Sequence, residues 1–305
     1  LLIESTVIDG QENGSVVTFD SGESYESILQ GFTIQNGTGN NEDPDGNGTY
    51  YTYGGGIYCE NSDPMIKDCI IQNNVGDEGG GGGVFCYNAS PKFFACKFTE
   101  NETDDVGGGL YARNGSSPEF YDCSFMGNVA EFGAGCYLRN ESTPTMVNVT
   151  FSGNSADNSG GGIILKDDAD LIASQLYIYE NAADGLGGGL YINNADPQIA
   201  FMMVVDNTSS SGGGIYVRNS SYVQINNGTI ANNLAASYGG GVYLRDGADV
   251  SFTNSIIFGN DASQVYFRST GDDVEISVNY SLVQNGEDGI IDNDNGDINW
   301  GEGNL

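Results

Sequence analysis

The chain contains no histidine. That absence removes Ser-His and Cys-His nucleophilic catalysis, imidazole-ligated metals and the usual neutral-pH proton shuttle together. Positive charge is nearly as scarce: 9 Lys+Arg stand against 42 Asp+Glu in 305 residues, a formal net charge of −33. A nucleic-acid partner needs a cationic track that displaces counterions from phosphate, and an anionic membrane surface makes a similar demand. No basic cluster supplies one, so neither partner is expected. Long apolar runs are missing as well. The longest, Ile199 to Val205, falls far short of the about 20 residues that span a bilayer, so no membrane span is expected. Cysteine, at 6 residues, is too sparse for a disulfide scaffold and shows no Cys-x-x-Cys metal spacing. Residues Leu1 to Asp9 carry neither a charged leader nor a small-residue cleavage site, so any export signal is expected to be removed or to lie upstream. No helical period appears anywhere.

What is abundant is glycine, at 47 residues without a three-residue period, which points to many turns. A glycine tripeptide followed by an apolar-aromatic-apolar run recurs from Gly54 to Gly241. Its first apolar residue falls at Ile57, Val84, Leu110, Cys136, Ile163, Leu190, Ile215 and Val242, in steps of 25 to 27 residues. A second signature, an apolar residue three before an Asn, keeps phase with it from Ile71–Asn74 to Ile257–Asn260. Weaker copies flank both, giving roughly eleven units. Within a unit, short alternating apolar stretches are separated by Gly, Asn, Asp, Ser and Pro, the pattern of strands and turns. Three short strands per unit, each stacked on its own copy in the next, predict an all-β parallel β-helix. At about 4.8 Å per coil the rod is roughly 50 Å long. Residues 1–53 form N-terminal coils with an inserted loop over 37–53, residues 54–260 the regular repeats, and residues 261–305 the C-terminal coils.

Inward columns follow from the alternation. Besides the Ile57 column there are Cys59 to Leu244, Ile66 to Phe252, and Ile71 to Ile257. The cysteines all fall in such columns, Cys59 above Cys86, Cys69 with Cys96 and Cys123, and Cys136 in the first. They are expected to be buried thiols filling a narrow core, with adjacent-coil pairs near enough in principle for a disulfide.

Gly-Gly-Gly-Ile-Tyr followed by Phe-x-x-Asn resembles the repeat pair of the chlamydial polymorphic outer membrane proteins. More broadly it resembles the right-handed parallel β-helix proteins secreted by many bacteria. The likeness covers residues 54 to 260; the chlamydial repeat has Gly-Gly-Ala, and here only the triplet Gly133-Ala134-Gly135 includes an Ala. It implies a right-handed solenoid and an extracellular or cell-surface location. The tail around Asn279 to Gln284 and Trp300 to Asn304 resembles the last coils of large secreted proteins of this class, which implies further modules beyond Leu305.

Three sets of residues are candidates for function. The column between the inward positions holds Tyr58, Phe85, Tyr111, Tyr137, Ile164, Tyr191, Tyr216, Tyr243 and Tyr266, and should face outward. Two residues later come Arg113, Arg139, Lys166, Arg218, Arg245 and Arg268, six of the nine basic residues. Together they predict either a self-supporting ladder or a glycan platform, with sugar faces on tyrosine rings and arginine on hydroxyls or carboxylates. A stack of carboxylates, Asp77, Asp104, Glu131, Asp157 and Asp184, is either a solvated turn or a calcium site, and Asp43, Asp45 and Asn47 match the opening of a calcium loop that lacks its final Glu. The remaining lysines, Lys67, Lys92 and Lys97, lie near Asp68 and Asp122 and are the one constellation that could serve an acidic-polysaccharide lyase. The leading expectation is a non-catalytic extracellular surface module, adhesin-like or glycan-binding, whose partner is a polysaccharide or a host or neighbouring cell surface. The alternatives are a structural spacer or filament subunit that self-associates through its β-helix ends, and a polysaccharide lyase or hydrolase. Calcium is the one cofactor expected.

Overall fold

The regular coils run nearly the same course because the same residue types stand at the same corners. The computed structural model describes residues 6–268 and 270–305. In the first regular coil, Ile57–Glu60 forms a strand of one wall. Asn61, in the left-handed region at φ 49°, turns the chain. Two strands of a second wall follow, Met65–Lys67 and Ile70–Gln72, with Asp68 left-handed between them. Asn73 turns the chain again into the two-residue strand Val75–Gly76 of a third wall. The corner residues of later coils are mostly Asn, Asp and Gly at positive φ. These residues enter that region at small cost, which accounts for their abundance.

Stacked coils give an 11-stranded first wall, a 19-stranded second wall and a 7-stranded third wall. All three are parallel. In the first wall the pairing runs copy on copy: Tyr58 faces Phe85, Phe85 faces Tyr111, Tyr111 faces Tyr137, and so on through Tyr243 and Tyr266. The expected inward columns are buried throughout, with Ile57, Ile66, Ile71 and their copies in one continuous core. All six cysteines lie in it as free, buried thiols. Burial pushes the Cys96 and Cys136 thiols well above their ordinary range. One short 3-10 turn, Gly286–Gly289, is the only helical element among the described residues. None of them forms a helix long and apolar enough to cross a membrane.

The repeat asparagine has a role that the spacing alone leaves open. Asn74, Asn101, Asn128, Asn154, Asn181, Asn207, Asn233 and Asn260 are all buried. Each of the first seven donates from Nδ2 to the Oδ1 of its copy in the next coil, at 2.8–3.1 Å. The same amide also donates to a carbonyl of the preceding coil, as Asn154 does to Phe125 at 3.0 Å. A buried polar side chain is tolerable only when its hydrogen bonds are made, and here each copy satisfies the next.

The glycine triplets are needed for close approach. Gly54 sits at φ +64°, and a Cβ on Gly55 would lie 2.4 Å from the Val75 carbonyl oxygen. In the coil where Ala134 takes the middle place, its methyl group joins a small cluster with Ala130, Ala156 and Ala183.

The tyrosine column differs from the expectation of an exposed strip. Tyr58, Tyr111, Tyr137, Tyr191, Tyr216 and Tyr243 do line up and point away from the main core, yet each is at most 9% exposed. They form a second, thinner core with Phe85 and Ile164. Its cover comes from the residues just before the glycine triplets: Tyr53, Val106, Phe132 and Leu186 fold back over the first wall and pack on the rings. Burying ring faces under these side chains removes more apolar surface from water than leaving them as a platform.

Candidate functional site

The basic column runs along the edge of this second core, and almost every member already has a carboxylate. At the C-terminal end Arg218, Arg245 and Arg268 converge on Asp246. Lys166 pairs with Asp167 at 3.6 Å. Arg113, only 6% exposed, reaches Asp45 through Nη1 at 2.9 and 2.8 Å and donates from Nη2 to the Tyr53 hydroxyl at 3.2 Å. Four aromatic rings, those of Tyr53, Phe85, Tyr87 and Tyr111, lie within 5.0–5.9 Å of its guanidinium carbon. Arg139 is the exception. It has no carboxylate within 4.0 Å among the described residues, and it packs over Tyr111 at 5.4 Å and Tyr137 at 5.9 Å. Its buried Nε has no partner, as is also true of the Nε of Arg113 and Arg218.

Arg113 and Arg139 open into a cleft of about 440 Å³. Part of its lining comes from the inserted segment, which is a β-hairpin: Asn40–Glu42 pairs antiparallel with Tyr51–Tyr53. The hairpin supplies Asp45, Tyr51 and Tyr53; the turns after the third wall supply Glu78, Gly79, Asp104 and Asp105. Tyr53 anchors the hairpin by stacking on Phe85 at 4.3 Å. Burial raises the Asp105 carboxyl above its ordinary range; Arg139 opposes the rise, while Glu131 and Glu78 add to it. Burial likewise raises the phenols of Tyr53 and Tyr111. The lining can therefore donate through guanidinium and phenol and accept through carboxylate, a mixture suited to a ligand rich in hydroxyl groups.

Of the residues expected to bind ligand, the structure brings Tyr111, Arg113 and Arg139 into this cleft. Tyr58, Tyr137, Tyr191, Tyr216, Arg218, Tyr243 and Arg245 lie elsewhere along the column. Asp45 and Asp104, expected at metal sites, line the same cleft. In the loop expected to open a calcium site, the side chains of Asp43, Asp45 and Asn47 have protein partners. The Asp43 carboxylate accepts the backbone N–H groups of Asn47 and Gly48, the Asn47 side chain accepts that of Thr49, and Asp45 is taken by Arg113. Asp77, Asp104 and Asp184 are exposed outside the strands, and Asp157 is exposed within the strand Ser155–Ser159. No group of three or more His, Cys, Asp or Glu side chains is arranged to hold a metal among the described residues. Two lysines of the expected constellation, Lys67 and Lys92, and both its aspartates have partners. Lys92 pairs with Glu119 at 2.8 Å and lies over Tyr25, Lys67 lies over Phe94, and Asp68 and Asp122 accept amide hydrogen bonds from Gln30 and Asn148.

Glu78, Asp105, Tyr51 and Tyr53 were not singled out by the sequence pattern. The signal available for the tyrosines was the break in period over residues 37–53, which carries Tyr50-Tyr51-Thr52-Tyr53 directly before a glycine triplet.

The profile described as "Right handed beta helix region" matches residues 2–183 and 162–303. No curated protein matches the chain. Among solved structures, the crystal structure of pectate lyase Pel9A is similar at a TM-score of 0.39 and 12% identity, over 97% of this chain and 82% of that one. That likeness is too distant to speak to the chemistry of the cleft.

Proposed function

From the premise that this chain belongs to the right-handed β-helix family, we propose that it is a non-catalytic extracellular or cell-surface module that binds a glycan in the cleft under the inserted hairpin. The observation that carries this reading is Arg139: on a chain of net charge −33, it is the arginine that lacks a carboxylate, and it opens into the cleft beside Tyr111. A guanidinium with no carboxylate in contact, in a partly desolvated site, gains most from a ligand oxygen. Glu78, Asp104 and Asp105 then accept the hydroxyl protons that a saccharide offers on several sides.

A second reading, hydrolysis of the bound glycan, draws on Asp105. A carboxyl whose pKa is raised by burial, beside the exposed Asp104, is the pairing a general acid and its partner use. One experiment separates the two. The protein is applied to an array of plant, algal and bacterial polysaccharides, and each polymer retained is then incubated with it. Retention without new reducing ends or ultraviolet-absorbing unsaturated products supports the binding module. New reducing ends support hydrolysis and sink the non-catalytic reading, and unsaturated products do the same in favour of a lyase. Retention of nothing, with concentration-dependent assembly into rods, leaves the structural spacer.

A further inference from the structure

Arg113 is paired in a way no other basic residue of the column is. Arg218, Arg245 and Arg268 use Asp246, and Lys166 uses Asp167, each partner a turn residue of the repeat itself. The partner of Arg113 comes from the insertion, 68 positions earlier in the chain. Resting on the glycan-binding reading above, we infer that the hairpin tip, residues 43–50, is a self-occupying arm: Asp45 fills the position on Arg113 that an oxyanion of the bound saccharide, a carboxylate or a sulfate ester, takes by displacing it.

Three observations carry this. First, Arg113 cannot leave. It ends the strand Leu110–Arg113, it is 6% exposed, and its guanidinium is boxed by aromatic rings. A buried guanidinium needs an anion, so whatever displaces Asp45 must itself bring an oxyanion. Second, the tip can leave. Apart from Asp45, its side-chain bonds are internal: Asp43 accepts from the Asn47 and Gly48 N–H groups and Asn47 from that of Thr49. A Cβ at Gly46 or Gly48 would meet nothing within 4 Å, and Tyr50 is 61% exposed. Third, the base stays when the tip moves, because Tyr53 is 5% exposed and stacked on Phe85. The Asp45 side chain is 36% exposed and lines the cleft, where solvent and ligand can reach it. Exchange of one carboxylate for another keeps the charge of Arg113 compensated at every stage.

The test compares a neutral, a uronate-bearing and a sulfate-bearing oligosaccharide of equal length, titrated into the full chain and into Asp45→Asn. The arm is a competitor, so Asp45→Asn should tighten at least one charged probe by about tenfold or more and leave the neutral probe unchanged. Which charged probe gains identifies the oxyanion. A second measurement uses the unaltered protein: limited proteolysis within residues 43–50 should quicken when the charged probe is bound and not when the neutral one is. Equal affinity of both proteins for the charged probes, or protection of the tip on binding, would overturn the arm; if Asp45→Asn is too unstable to titrate, the proteolysis alone decides. A neutral probe that binds both proteins keeps the glycan-binding reading even when the arm fails, whereas failure of all probes on both proteins removes both.

Discussion

Replacing Asn154 by alanine tests whether the buried asparagines are a network or a filler. The Asn154 Oδ1 accepts the Asn128 backbone N–H at 3.0 Å and the Asn128 Nδ2 at 2.9 Å, and its own Nδ2 serves Phe125 and Asn181. Alanine therefore strands two donors of Asn128 and takes a donor from the Phe125 carbonyl, all in the interior. At about 1–3 kcal/mol for each buried group left without a partner, and allowing for some relaxation, Asn154→Ala should cost about 3–6 kcal/mol. The assay is equilibrium denaturation in urea followed by circular dichroism, with an unchanged m-value and a lowered midpoint. Asn114→Gly is the control. Asn114 is exposed at φ 61° and donates only to the Tyr87 hydroxyl, so glycine should keep the turn and change stability by less than about 0.5 kcal/mol. If Asn154→Ala costs no more than Asn114→Gly, the ladder does not hold the coils together.

Other consequences can be checked separately. The six thiols are buried, so a thiol reagent should label none of them in the native protein and all of them after denaturation; fast native labelling would contradict the packing. Phe201 stands at φ 55° while 59% exposed, so Phe201→Gly relieves left-handed strain at little loss of burial and should raise stability by up to about 1 kcal/mol, read from the urea midpoint; a fall would show that the ring packs usefully. Burial pushes the phenols of Tyr137 and Tyr243 up to about 12 from an ordinary 10.0. Between those values the unfolded chain releases protons that the folded chain keeps, so the stability is full below about pH 10 and falls as pH rises toward 12. Phenolate absorbance of the native protein that completes near pH 10 would refute this burial.

Much of this fold is legible in the sequence because a solenoid writes its structure as a period. The Ile57, Ile66 and Ile71 columns are one fact stated many times, and alternation alone sends them inward. The tyrosine column obeys the same alternation and does point away from that core. Its burial depends on a weaker pattern, the residue before each glycine triplet, which is apolar at Tyr53, Val106, Phe132 and Leu186 but Ser at 159 and 211. A column read as a surface was thus the floor of a second layer. The buried asparagines show the opposite difficulty: Asn beside a turn corner reads as turn chemistry, and only its copy 26 or 27 residues away makes it fit to be buried. The cleft was least legible, since Asp45 meets Arg113 through an insertion that breaks the period and so carries no repeated signal.

The most direct test of the proposed site compares two arginines of one column. Arg139 opens into the cleft without a carboxylate, whereas Arg218 has Asp246 at 3.9 Å and lies far along the rod. With a glycan retained on the array as ligand, calorimetric titration should show Arg139→Ala weakened by about 10- to 100-fold, the worth of one charge-assisted hydrogen bond. Arg218→Ala should bind like the unaltered protein. Equal binding by both variants, or an equal loss in both, would contradict a site at this cleft.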